Sequence, residues 1–335
     1  MIMYLLLAFL ISFPANAELE TPPTDSVEIS EWEVPWEASR PRDPYVDRNG
    51  IVWFVGQRSD YVASLDPRSG EFERYDLPNG AGPHNLIVDD DGMIWYAGNR
   101  QAHIGRLNPQ TGAIKKYPMP LSEAGDPHTL VFDGIDNIWF TVQGGNYIGR
   151  LAKESGQVDL IESPVSGSRP YGIVVDASEQ PWIVLFGTNK LASLDPETME
   201  LSLFDLPREE ARPRRLEITS DGNVWYVDYA GGMLGRYNPT SGSFKEWPMP
   251  SGRGAKPYGM AVDKRDRLWF VETGPQPNKF VGFDPGSETF ISSTPIPSGG
   301  RAIRHMHYDA DRDEVWFGTD TNTVGRASVG KVSDV

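Results

Sequence analysis

The chain has 335 residues, a formal net charge of −16 and no cysteine. The missing cysteine excludes disulfides, thiolate metal sites, a cysteine nucleophile, c-type haem and lipoprotein acylation. A strongly acidic chain lacks the basic surface that nucleic-acid binding needs, so no nucleic-acid partner is expected. The length suffices for a large core, and a repeat array of this size can form a single domain.

The N-terminus carries the pattern of a secretory signal. Residues 5–13 form an apolar run that is too short to span a bilayer comfortably, and Ala15-Asn16-Ala17 supplies a small-residue cleavage site. We therefore predict a signal peptide over residues 1–17 and a short leader over 18–26, with export to the periplasm or the medium. A buried N-terminal strand is the alternative. No later segment is apolar enough to cross a membrane, so no membrane insertion is expected after signal cleavage.

One sequence pattern recurs seven times, and its fixed point is a tryptophan. Successive tryptophans are 42, 44, 43, 43, 44 and 47 residues apart. The seven are Trp53, Trp95, Trp139, Trp182, Trp225, Trp269 and Trp316. A turn rich in Asp and Gly precedes each tryptophan, and a short apolar run, a polar loop and an Ile-Gly-Arg-like segment follow. Four short strands in a period of roughly 40–45 residues are typical of a propeller blade.

We predict an all-β fold, a seven-bladed β-propeller with four antiparallel strands per blade, over residues 27–328, with a C-terminal tail over 329–335. We name the strands of a blade A to D from the channel outward. One blade cannot bury both of its apolar faces, whereas radial stacking covers both. The seventh repeat ends after its third strand, near Arg326, and residues 29–35 match the outer-strand pattern. We therefore expect the N-terminal strand to complete the last blade and close the ring.

Strand parity places the loops that lead into strand A on the same face as the B-to-C loops. Strand A begins after a proline in six blades, so the residues after these prolines occupy equivalent positions around one channel mouth. In chain order they are Arg42, His84, His128, Tyr171, Arg214 and Tyr258, with Arg304 in the seventh blade. Arginine, histidine and tyrosine concentrated in an acidic chain predict a site for an anionic or carbonyl-rich small molecule. A solvated rim without function is the alternative.

Two histidines and a carboxylate are candidates for proton transfer. His84 and His128 fall in the same register of adjacent blades. Asp126 stands two residues before His128, where it could orient the imidazole or bind a cation. His305 and His307 cluster in the last blade, and the sequence leaves open whether they join the site.

Two further carboxylates are candidate metal ligands. Asp228 and Glu272 each stand three residues after a blade tryptophan, at equivalent points of adjacent blades. Mg²⁺ prefers oxygen ligands, so this pair predicts a magnesium site. Salt bridges to Arg212, Arg214 or Lys256 are an equally favoured alternative.

Several segments resemble the virginiamycin B lyase family. They are Pro170-Tyr171-Gly172-Ile173, Pro257-Tyr258-Gly259-Met260 and Trp269-Phe270-Val271-Glu272, together with the Ile-Gly-Arg segments, and the resemblance covers essentially the whole mature chain. It implies a site at the channel mouth with histidines after strand-A prolines, a tyrosine in Pro-Tyr-Gly, and Mg²⁺ held by a glutamate three residues after a blade tryptophan. His84, His128 and Tyr171 follow the family's order of residue types, and Val142 stands where that glutamate is implied.

The chemistry that the resemblance implies is the opening of a cyclic ester or lactone by C–O elimination. His128 is then the base, and Asp126 holds it or a metal. His84 and Tyr171 polarise the carbonyl or protonate the leaving group. The substrate-binding candidates are Arg42, Arg169, Arg214, Tyr258 and Arg304. A lactonase-like hydrolase and a non-catalytic binding module for an anionic ligand or a partner protein stay open, because a fold does not determine a function.

Overall fold

A computed structural model describes residues 26–332, which contain 28 β-strands and three short 3₁₀ helices. Strand β1 is Glu28–Glu33. Blade 1 is β2 (Pro41–Val46), β3 (Val52–Gly56), β4 (Tyr61–Asp66) and β5 (Glu71–Asp76). Blade 2 is β6 (Pro83–Val88), β7 (Ile94–Gly98), β8 (His103–Leu107) and β9 (Ile114–Pro118). Blade 3 is β10 (Pro127–Phe132), β11 (Asn137–Val142), β12 (Tyr147–Ala152) and β13 (Val158–Glu162). Blade 4 is β14 (Pro170–Val175), β15 (Pro181–Leu185), β16 (Lys190–Leu194) and β17 (Leu201–Asp205).

Blade 5 is β18 (Pro213–Ile218), β19 (Val224–Asp228), β20 (Met233–Asn238) and β21 (Ser243–Pro248). Blade 6 is β22 (Pro257–Val262), β23 (Leu268–Glu272), β24 (Lys279–Asp284) and β25 (Thr289–Pro295). Blade 7 is β26 (Met306–Asp309), β27 (Glu314–Gly318) and β28 (Thr323–Ser328), with β1 as its outer strand. The 3₁₀ helices are Asn99–Gln101, Ser122–Ala124 and Gly252–Gly254. Each blade is a four-stranded sheet with antiparallel neighbours, so the predicted fold is confirmed.

The ring closes through the N-terminal strand, as predicted. Strand β1 pairs antiparallel with β28, from Glu28 opposite Ser328 to Glu33 opposite Thr323. Trp32 of β1 stacks on Trp316 with ring centroids 5.4 Å apart. The two ends of the chain therefore share one sheet, which leaves no blade with an unpaired third strand.

The repeated tryptophans lie in the core between blades. Trp95, Trp139, Trp225, Trp269 and Trp316 are almost completely buried. In five blades the aspartate that opens the preceding hairpin anchors the indole, as where Asp89 accepts a hydrogen bond of 2.7 Å from Trp95 Nε1. The arginine of the Gly-Arg pair covers the ring from the neighbouring strand, with Arg106 5.4 Å from the Trp95 centroid. Gly105 is required because a Cβ there would overlap the Tyr96 ring.

A β-bulge in the inner strand of six blades re-aims the residues that line the channel. In blade 3, Pro127 pairs with Val142 but Leu130 pairs with Phe140, so β10 holds one extra residue. The other five bulges occur in β2, β6, β14, β18 and β22. Such bulges change side-chain direction near functional sites. Here both His128 and Thr129 contact side chains of other blades.

The structure describes almost none of the predicted N-terminal segments but part of the predicted C-terminal tail. The predicted signal peptide and nearly all of the predicted leader lie outside residues 26–332. In the predicted tail, Val329 and Val332 are buried, and their carbonyl oxygens accept hydrogen bonds of 2.8 and 2.7 Å from the Arg267 guanidinium. No helix within residues 26–332 is long and apolar enough to span a bilayer.

Removal of the closing strand tests its contribution to stability. A chain that starts at residue 36 lacks β1 and leaves the β28 edge unpaired, with Trp316 stripped of its stacking partner. We expect the free energy of unfolding to fall by about 3 kcal/mol or more, the scale of losing a packed Trp, and the exposed edge to promote association. Denaturant unfolding and light scattering measure both effects. A chain that starts at residue 26 is the matched control, and equal stability of the two chains would contradict this role of β1.

Candidate functional site

The channel mouth is lined by two successive sets of side chains. The residues directly after the strand-A prolines form the upper ring: Arg42, His84, His128, Tyr171, Arg214, Tyr258 and Arg304. The residues one position later form the second ring: Asp43, Asn85, Thr129, Gly172, Arg215, Gly259 and His305. The bulges allow both sets to face the channel, so the site is two layers deep.

The upper ring brings most of the predicted catalytic residues together. Arg42 Nη1 donates a hydrogen bond of 2.7 Å to His84 Nε2. The ring centroids of His84 and His128 lie 3.6 Å apart, and those of His128 and Tyr171 lie 4.2 Å apart. The Tyr171 hydroxyl is hydrogen-bonded to the Tyr258 hydroxyl. These contacts join the five side chains in one continuous row across blades 1, 2, 3, 4 and 6, and all five are buried.

Arg215 is a central residue that the sequence analysis missed. Its Nε donates 2.9 Å to the Arg304 carbonyl oxygen of blade 7, and its Nη1 donates 3.0 Å to Thr129 Oγ1 of blade 3. The guanidinium also lies 5.1 Å from the Tyr171 ring centroid. The sequence feature that could have identified Arg215 is its position one residue after the upper ring. In a regular strand the side chain at that position would point away from the channel, which is why it was missed. Gly172 permits this packing, since a Cβ there would lie 3.2 Å from the Arg215 Cα.

Hydrogen bonding fixes the tautomer of His84. Arginine can only donate, so His84 Nε2 accepts from Arg42 and the ring proton sits on Nδ1. Burial, and next the charge of Arg42, lower the pKa of His84 well below its ordinary 6.5. His84 is therefore neutral at neutral pH.

His128 has the same ionisation but a different tautomer. Thr129 Oγ1 accepts a hydrogen bond from Arg215 and lies 2.8 Å from His128 Nδ1. Within residues 26–332, His128 Nδ1 is the one acceptor that the Thr129 hydroxyl hydrogen reaches. We infer that Thr129 donates to Nδ1 and that His128 carries its proton on Nε2, because the opposite assignment strands a buried hydroxyl hydrogen. Burial, and next Arg215, lower the pKa of His128 well below 6.5.

The unpartnered polar atoms of this cluster are mostly donors. Among the described residues, Arg42 Nη2, His84 Nδ1 and His128 Nε2 are buried and have no hydrogen-bond acceptor. The facing carboxylate is Asp43, which lies 3.4 Å from Arg42 Nε and 3.8 Å from Arg215 Nη2. Burial opposes ionisation of Asp43, but Arg42, His305 and Arg215 together hold its pKa well below the usual range. The centre of the channel therefore presents positive charge and N–H groups.

The two tyrosines differ in acidity. Burial raises the pKa of Tyr258 far above its ordinary value. Burial also acts on Tyr171, but Arg215, Arg42, the hydrogen bond from Tyr258 and Arg214 together lower the Tyr171 pKa below 10. Tyr171 is thus the more acidic phenol, with Tyr258 as the donor to its oxygen.

The predicted substrate-binding arginines divide into three environments. Arg42 lies deep in the channel, and Arg304 pairs with Asp320 through bonds of 2.6 and 2.7 Å. Arg214 lies over the Phe186 and Tyr229 rings, 4.2 and 4.5 Å from their centroids. A cavity of about 460 Å³ adjoins Arg214 at the mouth. Its lining includes Arg169, Phe186, Arg212, Arg214 and Tyr229.

The predicted carboxylates serve the loops rather than the site. Asp126 accepts hydrogen bonds from the backbone N–H groups of Gly144 and Gly145, at 2.6 and 3.0 Å, and has no hydrogen bond to His128. The D-to-A and B-to-C loops meet at this face, and their unpaired N–H groups attract such carboxylates. Asp126 therefore has no contact through which to orient His128.

The predicted magnesium ligands, Asp228 and Glu272, are also hydrogen-bonded by neighbouring groups. Asp228 accepts 2.6 Å from Arg208 Nη2 and 2.8 Å from the Arg212 backbone N–H. Glu272 accepts from the backbone N–H and hydroxyl of Ser251. Val142 is buried in an apolar cluster. Within residues 26–332 no three His, Asp or Glu side chains are grouped to hold a metal ion, so these residues do not fit Mg²⁺.

Two further histidines, His305 and His307, lie at the channel wall of blade 7. His305 Nδ1 lies 3.1 Å from the Met306 carbonyl oxygen, and burial lowers its pKa to about 3. His307 stacks on Tyr45 at 4.2 Å, below the second ring, and burial lowers its pKa to about 4. His305 belongs to the second ring, whereas His307 does not reach the mouth.

These features define a seven-bladed propeller with a buried polar site at one mouth of its channel. The profile of the virginiamycin B lyase family matches residues 27–327, and the protein belongs to this family.

Solved structures of this family share the fold. Virginiamycin B lyase from Staphylococcus aureus superposes with a TM-score of 0.82 at 24% identity, over 90% of this chain and 99% of that chain. A streptogramin B lyase gives 0.81 at 25% identity, over 91% and 98%. A catalytically inactive histidine-to-alanine variant of the S. aureus enzyme, determined with quinupristin, gives 0.82 at 24% identity, over 90% and 99%. No curated protein matches this chain significantly in sequence.

The neutral histidines predict a loss of stability in acid. The unfolded chain protonates histidine near pH 6.5, whereas folded His84 and His128 stay neutral. Below that pH the unfolded state binds more protons, so the free energy of unfolding falls as the pH falls from about 7.5 to 5.5, by about 1.4 kcal/mol per histidine. Urea unfolding across this range measures the effect.

The comparison with variants isolates these two groups from the other histidines. His84→Gln and His128→Gln should each flatten the pH dependence by about 1.4 kcal/mol over the same interval. An unchanged pH dependence in both variants would show that the imidazoles are charged in the folded protein.

Proposed function

We propose that the protein is an exported carbon–oxygen lyase that opens a cyclic ester or lactone at the channel mouth. The observation that carries this proposal is the buried row from Arg42 through His84, His128 and Tyr171 to Tyr258. Membership of the virginiamycin B lyase family supports it. Guanidinium, imidazole and phenol groups in one opening are suited to an elimination through an enolate.

The reaction has two bond changes besides the proton transfer. A base removes the proton from the carbon next to a carbonyl, and the electron pair of that C–H bond forms an enolate. The enolate then forms a carbon–carbon double bond while the adjacent C–O bond breaks, and its electron pair leaves on the ester oxygen as a carboxylate. The ring opens without adding water.

The donor groups of the channel stabilise the negative charge of the enolate. His84 and His128 are neutral and direct Nδ1–H and Nε2–H toward no acceptor within residues 26–332. Fixed donors in a dry site stabilise developing charge strongly, because they need no reorganisation. This role replaces the base that the sequence analysis assigns to His128.

The proton acceptor in this proposal is the Tyr171 phenolate. Its lowered pKa follows from Arg215, Arg42, Tyr258 and Arg214 acting against burial. Tyr258 donates to the phenolate oxygen and holds it in place. The body of the substrate occupies the cavity beside Arg214, whose volume of about 460 Å³ suits a small molecule.

Product mass distinguishes the candidate reactions. The purified protein is incubated with a panel of cyclic esters and lactones that includes quinupristin, and the products are analysed by mass spectrometry. Elimination gives a ring-opened product of unchanged mass, and hydrolysis adds one water. Tyr171→Phe should lower the rate by about 100-fold or more, the scale of general base catalysis. EDTA should leave the rate unchanged.

Tyr117→Phe is the matched control, since Tyr117 is a buried tyrosine of outer strand β9 in the apolar core. It should keep the full rate. Products heavier by one water would indicate a hydrolase. Saturable binding without any product would indicate a binding module. Either result, or full activity of Tyr171→Phe, overturns the proposed mechanism.

Export rests on the N-terminal sequence. We expect the protein expressed from its full gene to accumulate in the periplasm or the medium with Glu18 as its first residue. Cell fractionation and N-terminal sequencing measure this. Replacing Ala15 and Ala17 by bulky residues should block the cleavage, and an intact Met1 on the wild-type protein would contradict export.

A further inference from the structure

We infer that the centre of the channel is a binding site for a small monovalent anion, held by Arg42, Arg215, His84 and His128. The inference deepens the proposed function, since the carboxylate released by the elimination is such an anion. It stands on the resting protein and does not require turnover.

The charge balance of the buried centre is positive. Arg42 and Arg215 are each only 4% exposed, and one ionised carboxylate, Asp43, faces both. His84 and His128 are uncharged. Glu217, two residues after Arg215 in β18, does not compensate, because burial raises its pKa to about 8 and keeps it protonated at neutral pH. While the Tyr171 phenol is protonated, one guanidinium charge at the channel centre is therefore not balanced, and a buried unpaired charge is costly.

Arg42 Nε and Asp43 Oδ1 face each other at 3.4 Å. The other unpaired polar atoms of the cluster are suited to one chemical class of ligand. Arg42 Nη2, Arg215 Nη2, His84 Nδ1 and His128 Nε2 are all buried without an acceptor among the described residues. Each carries a hydrogen under the tautomers derived above. A metal ion cannot bind these N–H groups, because they offer it no lone pair. An anion accepts from several of them at once and supplies the missing charge.

The donors are fixed before any ligand arrives. Arg215 is anchored by its bonds from Nε to the Arg304 carbonyl oxygen and from Nη1 to Thr129. Its Nη2 lies 3.8 Å from Asp43 Oδ2 and makes no hydrogen bond among the described residues. Arg42 is anchored by Nη1 on His84, which leaves Nη2. Donors that are already oriented lose little entropy on binding. The site is thus built for an anion rather than adapted to one.

Acetate and chloride are the probes. The protein, labelled with ¹⁵N at histidine, is dialysed into a low-salt zwitterionic buffer and titrated with sodium acetate or sodium chloride. We expect saturable shifts of the His84 Nδ1 and His128 Nε2 resonances and a matching isotherm in calorimetry. Tighter binding of acetate assigns the site to small-molecule carboxylates, and tighter binding of chloride assigns it to free inorganic ions. No saturable shift with either anion overturns the inference.

Three variants separate binding from a structural effect. Arg42→Gln should weaken acetate binding at least tenfold. Asp43→Asn removes the opposing carboxylate and should tighten binding severalfold, a gain that a misfolded protein cannot give. Arg74→Gln is the control, because Arg74 lies on outer strand β5 and pairs with Asp76. Weaker binding to Asp43→Asn, or equal loss in Arg74→Gln, contradicts the assignment.

The outcomes remain distinct from those of the lyase assay. Anion binding with no turnover of any ester would retain the site and reject the proposed reaction. Turnover without anion binding would retain the reaction and reject this site.

Discussion

The guanidinium of Arg215 is the contact on which the architecture of the site depends. From blade 5 it donates to Thr129 of blade 3 and to the Arg304 carbonyl oxygen of blade 7, and it faces Asp43 of blade 1 and the Tyr171 ring of blade 4. In a quasi-repetitive array each blade packs mainly against its two neighbours. One buried cation therefore links five blades at the axis, and it fixes the tautomer of His128 through Thr129.

The fold follows from features that most repeats carry locally. The tryptophan, the hairpin aspartate that accepts its indole N–H and the Gly-Arg pair that covers it recur in successive repeats, and each is satisfied within one blade or its neighbour. Ring closure can also be predicted from the sequence. The outer-strand pattern around Trp32 has no blade of its own, and the last blade lacks an outer strand after Arg326, so the two complete each other. Such information survives in a single sequence, since no long-range geometry is needed to read it.

The site is less predictable because its residues are selected by their position across the ring. Register alone placed His84, His128 and Tyr171 in one opening, and the structure brings them into contact. Register also proposed Asp228 and Glu272 as a metal pair, but unpaired backbone N–H groups and Arg208 compete for these carboxylates. The importance of Arg215 arises from a bulge, and a one-residue shift of this kind leaves no mark in hydrophobic periodicity.

The ionisation of the site limits its chemistry. Arg42 donates to one nitrogen of His84, and Thr129, which already accepts from Arg215, donates to one nitrogen of His128. Each ring therefore keeps one N–H that has no acceptor among the described residues. Histidines in this state stabilise negative charge but have no lone pair left for a proton. Within the buried row, Tyr171 is a phenol surrounded by guanidiniums, and it is therefore the proton acceptor in the proposed reaction. In the proposed reaction, the guanidiniums that lower the pKa of Tyr171 also attract the carboxylate product. The acidity of the proposed base and the affinity for that product would then have one electrostatic origin.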